Sequence, residues 1–313
     1  MIVRERPSGL KMFVLLRGSI LPRILPSLSA TTLIAIVVTL THGDLFALKI
    51  TLTTIPFTLI GLPIAIFLGF RNTAAYDRFW EGRKLWGEIL LRSRVLSRQC
   101  QSLITDPLPT HARLGLADVR VRMVLRAIAF AHALRYLLRD QAPGPELQKF
   151  LHPDEWQQMQ QASNQPDFLM LAMGQDLGLC LQQGRLDACL AGNIDATLSA
   201  LTAASASCER IKSTPIPFSY TLLLHRTAYI YCFLLPFGLV DTIGFMTPFV
   251  VAIVAYTFFG LDALGDEIEE PFGLDPNDLP LDAICRAIEI NLLESLGDEH
   301  VPAPLAPVNY CLN

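Results

Sequence analysis

The chain has 313 residues, of which 51% are hydrophobic and only 17% are charged, and its formal net charge is −4. Ordinary soluble domains carry about 25% charged residues, and the mean hydropathy of this chain is +0.39. The composition therefore argues against a soluble protein and predicts a membrane protein, and the mild net charge gives no sign of a nucleic-acid-binding surface.

The N-terminal segment, residues 1–23, is basic and has only short apolar stretches, so we do not expect a cleaved signal peptide there. It holds five basic residues and one acidic residue, Glu5. A second basic stretch, with seven Lys and Arg residues, occupies 71–98. Because basic residues flank membrane spans on the cytoplasmic side, both termini and the central part of the chain are predicted to be cytoplasmic.

Two pairs of segments are apolar enough to cross a bilayer, which takes about 20 residues. The first pair is Ile24–Gly43 and Ile50–Phe70, and the second is Thr227–Val240 and Thr242–Leu261, separated by Asp241. Because Ser213–Leu224 is also uncharged, the first span of the second pair can begin near Phe218 and include His225 and Arg226. Buried helices of a soluble core rarely lack charges over such lengths. We therefore predict four transmembrane helices.

The residues between the two pairs are polar, and their apolar positions recur at helical spacing. Strand-like alternation is not convincing anywhere. The expected fold is all-α: an integral membrane bundle of about four transmembrane helices, continuous with a cytoplasmic helical domain. The predicted divisions are a cytoplasmic N-terminal segment (1–23), a first transmembrane pair (24–70), a cytoplasmic helical domain (71–212), a second transmembrane pair (213–261) and a cytoplasmic acidic segment with the C-terminal tail (262–313).

The second apolar segment ends in a stripe in which Leu62, Ile66 and Phe70 recur every four residues and so share one helix face. On spacing alone, such a stripe is typical of lipid-facing or helix-packing residues. The following sequence, FLGFRNTAAYDRFWEGRKLWG at 67–87, resembles the bestrophin family, in particular its bacterial branch. The acidic stretch after Glu270-Pro-Phe-Gly273 fits the same family, and the resemblance covers nearly the whole chain.

The resemblance implies a homopentameric ion channel in which the second helix lines a narrow neck with three apolar rings. Matching the Phe-x-x-Gly-Phe end of that helix places the rings at Leu62, Ile66 and Phe70. Pro63 lacks an N–H group and weakens the helix, which makes it a candidate gating pivot, although membrane helices also tolerate proline without movement. The family has a second constriction in its cytoplasmic part, expected near residues 179–181, and Cys180 is the first choice for it.

An acidic cluster follows the last apolar segment. Animal bestrophins bind calcium with carboxylates after Pro-Phe-Gly, but here two prolines and two leucines interrupt the acids, so calcium is the less favoured role. Pairing with basic residues near the membrane, or lining of a vestibule that attracts cations, is favoured. The candidate residues are Asp266, Glu267, Glu269, Glu270, Asp275 and Asp278.

No catalytic set, phosphate-binding loop or Cys-x-x-Cys pair is present, so neither an enzyme, a resident cofactor nor a structural zinc site is predicted. The predicted function is passive conduction of small monovalent ions across the bacterial inner membrane. Chloride is the ion of the animal family, and sodium or potassium is at least as well favoured here. The alternative is a transporter, or a membrane-anchored scaffold without an open pore.

Overall fold

A computed structural model of the chain describes residues 1–4, 9, 16, 18–42, 44–45, 48–49 and 53–313. The chain divides into two compact units. We call Glu5–Phe79 with Pro215–Glu270 the apolar unit, and Met1–Arg4 with Trp80–Thr214 and Pro271–Asn313 the polar unit. The apolar unit thus extends to Phe79, beyond the end of the second apolar segment at Phe70.

Regular structure in the described residues is almost entirely helical, which confirms the all-α prediction. A two-residue hairpin, β1 (Asp44–Leu45) paired antiparallel with β2 (Leu48–Lys49), lies between the first two helices. The helices are α1 (Leu21–Leu40), α2 (Thr54–Leu103), α3 (Val119–Leu138), α4 (Pro153–Gln161), α5 (Gln165–Gln182), α6 (Ala188–Ser213), α7 (Phe218–Ile243), α8 (Thr247–Glu269) and α9 (Leu281–Ser295). Short 3₁₀ helices occupy Ala112–Ala117, Pro145–Phe150 and Gly244–Met246.

Three helical stretches are long and apolar enough to cross a membrane: Leu21–Leu40, Thr54–Leu103 and Phe218–Glu269. The third stretch reverses direction at Gly244, whose positive φ of 49° suits a residue without a side chain. Tyr229 and Phe259 lie 15 residues on either side of this glycine, and their ring centroids are 4.3 Å apart. Helices α7 and α8 are therefore an antiparallel hairpin, and with α1 and the first half of α2 they supply the four predicted spans.

Close approach of helices in the apolar unit depends on small residues, as is usual where lipid supplies no hydrophobic drive for helix association. Gly238 of α7 lies against Phe57 of α2, where an added Cβ would come within 2.3 Å of the ring. Phe57 in turn packs with Ala35 and Val251. One cluster thus joins α1, α2, α7 and α8.

In the polar unit, α3 is buried along nearly its whole length and forms the centre of the core. Its first turn is capped by Asp118, whose carboxylate accepts a hydrogen bond from the Arg120 backbone N–H at 2.8 Å. The two ends of the chain pair with each other, since the Val3 N–H donates to the Tyr310 carbonyl at 2.8 Å. Both termini therefore lie on the same side of this unit.

Candidate pore-lining segment

The face that α2 exposes in the apolar unit is defined by the residues it buries. Its buried positions are Phe57, Ile64, Leu68, Arg71 and Ala75. At about 100° per residue, all five lie about 140–180° around the helix from Ile66. Ile66 is therefore at the centre of the face that is turned away from the rest of the unit.

The predicted neck residues lie together on this exposed face. Leu62 is 65% exposed, Ile66 47% and Phe70 63%. They span about 80° of the helix circumference and form one continuous apolar stripe. The structure thus brings the three residues together on a surface that α1, α7 and α8 of the same chain leave uncovered.

Contacts on the opposite side hold α2 in this rotation. Gly61 lies against Tyr231, whose hydroxyl would be 2.9 Å from an added Cβ. The hydroxyl of Tyr220 donates a hydrogen bond to the backbone carbonyl of Phe67 at 3.0 Å. Helix α2 continues through the exposed Pro63 without a break, so the proposed pivot at this residue stays a prediction.

Directly after Phe70, a buried arginine ties α2 to the end of α8. The side chain of Arg71 is 0% exposed, and its Nη1 lies 2.9 Å from Oδ1 of Asp262. Its Nη2 hydrogen-bonds Asp266 and lies 3.5 Å from Oε2 of Glu269. One guanidinium is thus surrounded by three carboxylates, and an arginine so deeply buried requires such partners.

A histidine on α7 completes this group, which we call the Arg71 cluster (Arg71, His225, Asp262, Asp266 and Glu269). Nδ1 of His225 lies 2.6 Å from Oδ2 of Asp262. One carboxylate oxygen of Asp262 therefore faces the guanidinium of Arg71 on α2, and the other faces the imidazole of His225 on α7. The cluster binds three helices together within one turn of Phe70, the last of the predicted neck residues.

The predicted acidic cluster is divided between the two units. Asp266, Glu267, Glu269 and Glu270 belong to the apolar unit, whereas Asp275 and Asp278 belong to the polar unit. Within the polar unit, the carboxylate of Asp278 accepts a hydrogen bond from the Asp275 backbone N–H at 2.7 Å. In the described part of the chain, no group of three or more His, Cys, Asp or Glu side chains is arranged to hold a metal ion.

The structure does not support Cys180 as a constriction residue. Its side chain is 1% exposed, and burial raises the pKa of its thiol. Asp176, one turn earlier on α5, is also buried and forms a bidentate pair with Arg122 at 2.8 and 2.9 Å. This pair holds the Asp176–Cys180 face inward, while Leu179 is 48% exposed. A side chain that lines a pore is exposed in its own protomer, so this burial argues against Cys180, and the residue of the second constriction stays a prediction.

Sequence reasoning missed the Arg71 cluster as a unit. Arg71 counted only as one of seven basic residues in 71–98, and His225 was not predicted to meet an acidic residue. The available signal was the position of Arg71 immediately after a long uncharged segment. A charge there is costly without a partner, and Asp262 is the first acidic residue after the last apolar segment.

Comparison with known proteins identifies the family. The family model described as "Bacterial/Fungal Bestrophin protein" matches residues 1–294. A voltage-dependent anion channel-forming protein of Mesorhizobium japonicum is 42% identical over 299 residues, covering 95% of this chain and 93% of the relative. The voltage-dependent anion channel-forming protein YneE of Escherichia coli K12 is 41% identical over 307 residues, covering 98% of each chain.

Solved structures agree with this assignment. A crystal structure of a bacterial bestrophin homolog from Klebsiella pneumoniae matches with a TM-score of 0.80 at 37% identity, covering 88% of this chain and 100% of the other. A variant of that homolog, L177T, matches with a TM-score of 0.80 at 38% identity and the same coverage. The family predicted from residues 67–87 is thus confirmed, and the chain belongs to the bacterial and fungal bestrophin family of membrane ion channels.

Proposed function

We propose that this channel is a homopentamer in the bacterial inner membrane and passes small monovalent ions through a neck lined by Leu62, Ile66 and Phe70. The observation that carries the proposal is the exposed apolar stripe on α2, opposite the face that packs within the chain. Five copies around an axis would turn the stripe into three apolar rings. Water leaves such a constriction easily, and ions are then held back until the helices move.

The proposed orientation places both termini and the polar unit in the cytoplasm. The pairing of Val3 with Tyr310 supports it, because it keeps both ends of the chain on one side of the membrane. The basic residues of 1–23 and 71–98 favour the cytoplasm for that side.

For the second constriction, we propose Leu179 in place of Cys180. Leu179 lies within the predicted segment, is apolar, and is exposed where Cys180 is not. No metal or cofactor is part of the proposal, because the carboxylates nearest the membrane, Asp262, Asp266 and Glu269, are engaged by Arg71.

The sign of the conducted ion is decided outside the neck, since the apolar rings carry no charge with which to choose. The curated relatives are named as anion channel-forming proteins. The predicted carboxylates of the vestibule favour cations instead. A bilayer recording under a tenfold KCl gradient separates the two: a reversal potential near the potassium equilibrium value shows a cation channel, and one near the chloride value shows an anion channel.

The neck is tested with single alanine variants in the same recordings. Ile66→Ala and Phe70→Ala should raise the conductance several-fold, because each widens an apolar ring and lets water remain in it. Ile60→Ala is the matched control, since Ile60 is 46% exposed on the same helix but lies about 120° from Ile66. If alanine at Leu62, Ile66 and Phe70 each leaves the conductance of the parent, the neck is assigned to the wrong residues.

A further inference from the structure

A cleft of about 380 Å³ lies between the last turns of α2 and α9, within the polar unit. It is lined by two arginines, by neutral polar side chains and by Leu292, and no carboxylate is among its lining residues. The polar residues that matter for its chemistry are Arg94, Ser97, Arg98, Gln101, Asn291 and Ser295. The neck and the Arg71 cluster do not contribute to it.

The two arginines of this cleft differ from most others in the polar unit. Arginines with a carboxylate partner there include Arg120, Arg122, Arg126, Arg135, Arg139 and Arg185. Among the described residues, no carboxylate partner is found for Arg94 or Arg98. Both are exposed and four residues apart on α2, so two like charges share one helix face, an arrangement that destabilises a helix slightly. The cleft therefore holds two positive charges that no acid neutralises.

Hydrogen bonds orient the floor of the cleft. Nε of Arg94 donates to Oδ1 of Asn291 at 2.7 Å, which leaves the amide NH₂ of Asn291 free to donate. Gln101 donates to Oγ of Ser97 at 3.0 Å. Since the Ser295 hydroxyl donates to the Leu292 carbonyl, the Ser97 hydroxyl must be the donor in the 2.7 Å contact between the two serines.

In this network the hydroxyl protons of Ser97 and Ser295 are already donated within the protein. Most guanidinium N–H groups of the two arginines remain without an acceptor in the described part of the chain. The terminal nitrogens of Arg94 and the guanidinium of Arg98 have no acceptor among the described residues. A cleft with a surplus of donors and of positive charge suits an anion rich in acceptors. Guanidinium groups bind phosphate in a bidentate manner and are only weakly hydrated, so a phosphoryl group is the best match.

We propose that this cleft binds a small organic phosphate of the cytoplasm, with the phosphoryl group held between Arg94 and Arg98. A doubly charged phosphoryl group would neutralise both arginines at once. The volume falls in the range of small-molecule sites, about 300–1,000 Å³, and leaves room beyond the phosphate. No aromatic side chain lines the cleft, so nothing there stacks on a nucleobase, and the amides of Gln101 and Asn291 suit the hydroxyl groups of a sugar phosphate.

The test is isothermal titration calorimetry on the purified full-length protein in detergent at low ionic strength, with glucose 6-phosphate, inorganic phosphate, AMP and glucose as probes. Glucose 6-phosphate should bind most tightly, inorganic phosphate and AMP more weakly, and glucose not at all. Arg94→Gln and Arg98→Gln should each weaken the binding of glucose 6-phosphate at least about tenfold, because each removes charge-assisted hydrogen bonds.

Arg83→Gln is the control for these variants. Arg83 is exposed on the same helix, outside the cleft, so the substitution makes the same change of charge and should leave the affinity unchanged. Absence of glucose 6-phosphate binding overturns the proposal, as does an unchanged affinity in the Arg94→Gln/Arg98→Gln double variant that still elutes as the parent oligomer. Equal or tighter binding of inorganic phosphate or AMP overturns the assignment to a sugar phosphate. No current is measured, so the result is independent of the proposed neck.

Discussion

Replacing the buried arginine of the Arg71 cluster by an apolar side chain of similar length should destabilise the protein strongly. Arg71→Met removes the cation but leaves Asp262, whose side chain is 4% exposed, and Glu269, whose side chain is 14% exposed. Removing one partner of a buried ion pair costs about 3–5 kcal/mol, because the remaining charge stays buried and uncompensated. At about 2–4 °C per kcal/mol, the apparent melting temperature should fall by about 10 °C.

The assay is thermal unfolding of the purified protein in detergent, followed by intrinsic tryptophan fluorescence and by loss of the oligomer on gel filtration. Arg226→Met serves as the control, since Arg226 is an exposed arginine on α7 in the same unit. We expect that control to change the melting temperature by no more than about 2 °C, as for surface substitutions of about 0.5 kcal/mol.

A second variant separates the lost pairing from the lost packing. Adding Asp262→Asn to Arg71→Met removes one of the uncompensated charges, so the double variant should be less damaged than the sum of the two single changes. If Arg71→Met melts within 2 °C of Arg226→Met, the cluster does not stabilise the apolar unit and the reasoning from burial is wrong. If the losses of stability in the two single variants simply add up in the double variant, Arg71 and Asp262 are not directly coupled.

Two further predictions concern the polar unit. Burial of Glu289 acts to raise its pKa, but the contacts with His132 and Lys149 outweigh it and lower the pKa from 4.5 to about 2. Its contribution to stability is thus complete above pH 4.5 and is lost as the pH falls towards 2. The melting temperatures of Glu289→Gln and the parent should therefore differ most near neutral pH and converge in acid; a constant difference from pH 7 to 2 would contradict this. In mass spectrometry after treatment with a thiol reagent, the exposed Cys189 should be modified and the buried Cys180 should not. The cysteine introduced by Leu179→Cys should also react, whereas modification of Cys180 as fast as Cys189 would favour Cys180 as the constriction residue.

Sequence reasoning reached the spans, the family and the apolar stripe on α2 because each depends on local or strongly patterned features. Uncharged runs about 20 residues long predict spans almost regardless of tertiary context. The stripe of Leu62, Ile66 and Phe70 follows from helical period together with the resemblance at 67–87. Neither step requires knowledge of which distant residues meet.

The Arg71 cluster could not be predicted in this way because its members are far apart along the chain. Arg71 and Asp262 are separated by 191 residues, and His225 lies on a third helix. The identity of an arginine's partners depends on how α2, α7 and α8 are rotated against each other. The sequence alone contains seven basic residues in 71–98 and eight acids in 262–282, with many conceivable pairings.

The register of α5 shows the same limit in a single helix. Apolar residues occur on all sides of this helix around Cys180, including Leu177, Leu179 and Leu181, so the helical period does not tell its inner face from its outer face. The informative residue is Asp176, because a buried carboxylate must face its cations, here Arg122 and Arg126. Cys180 lies one turn after Asp176 and is carried inward with it, and Leu179, about 100° away, is left on the surface. A buried acid that must face its cations thus decides which apolar neighbour stays exposed.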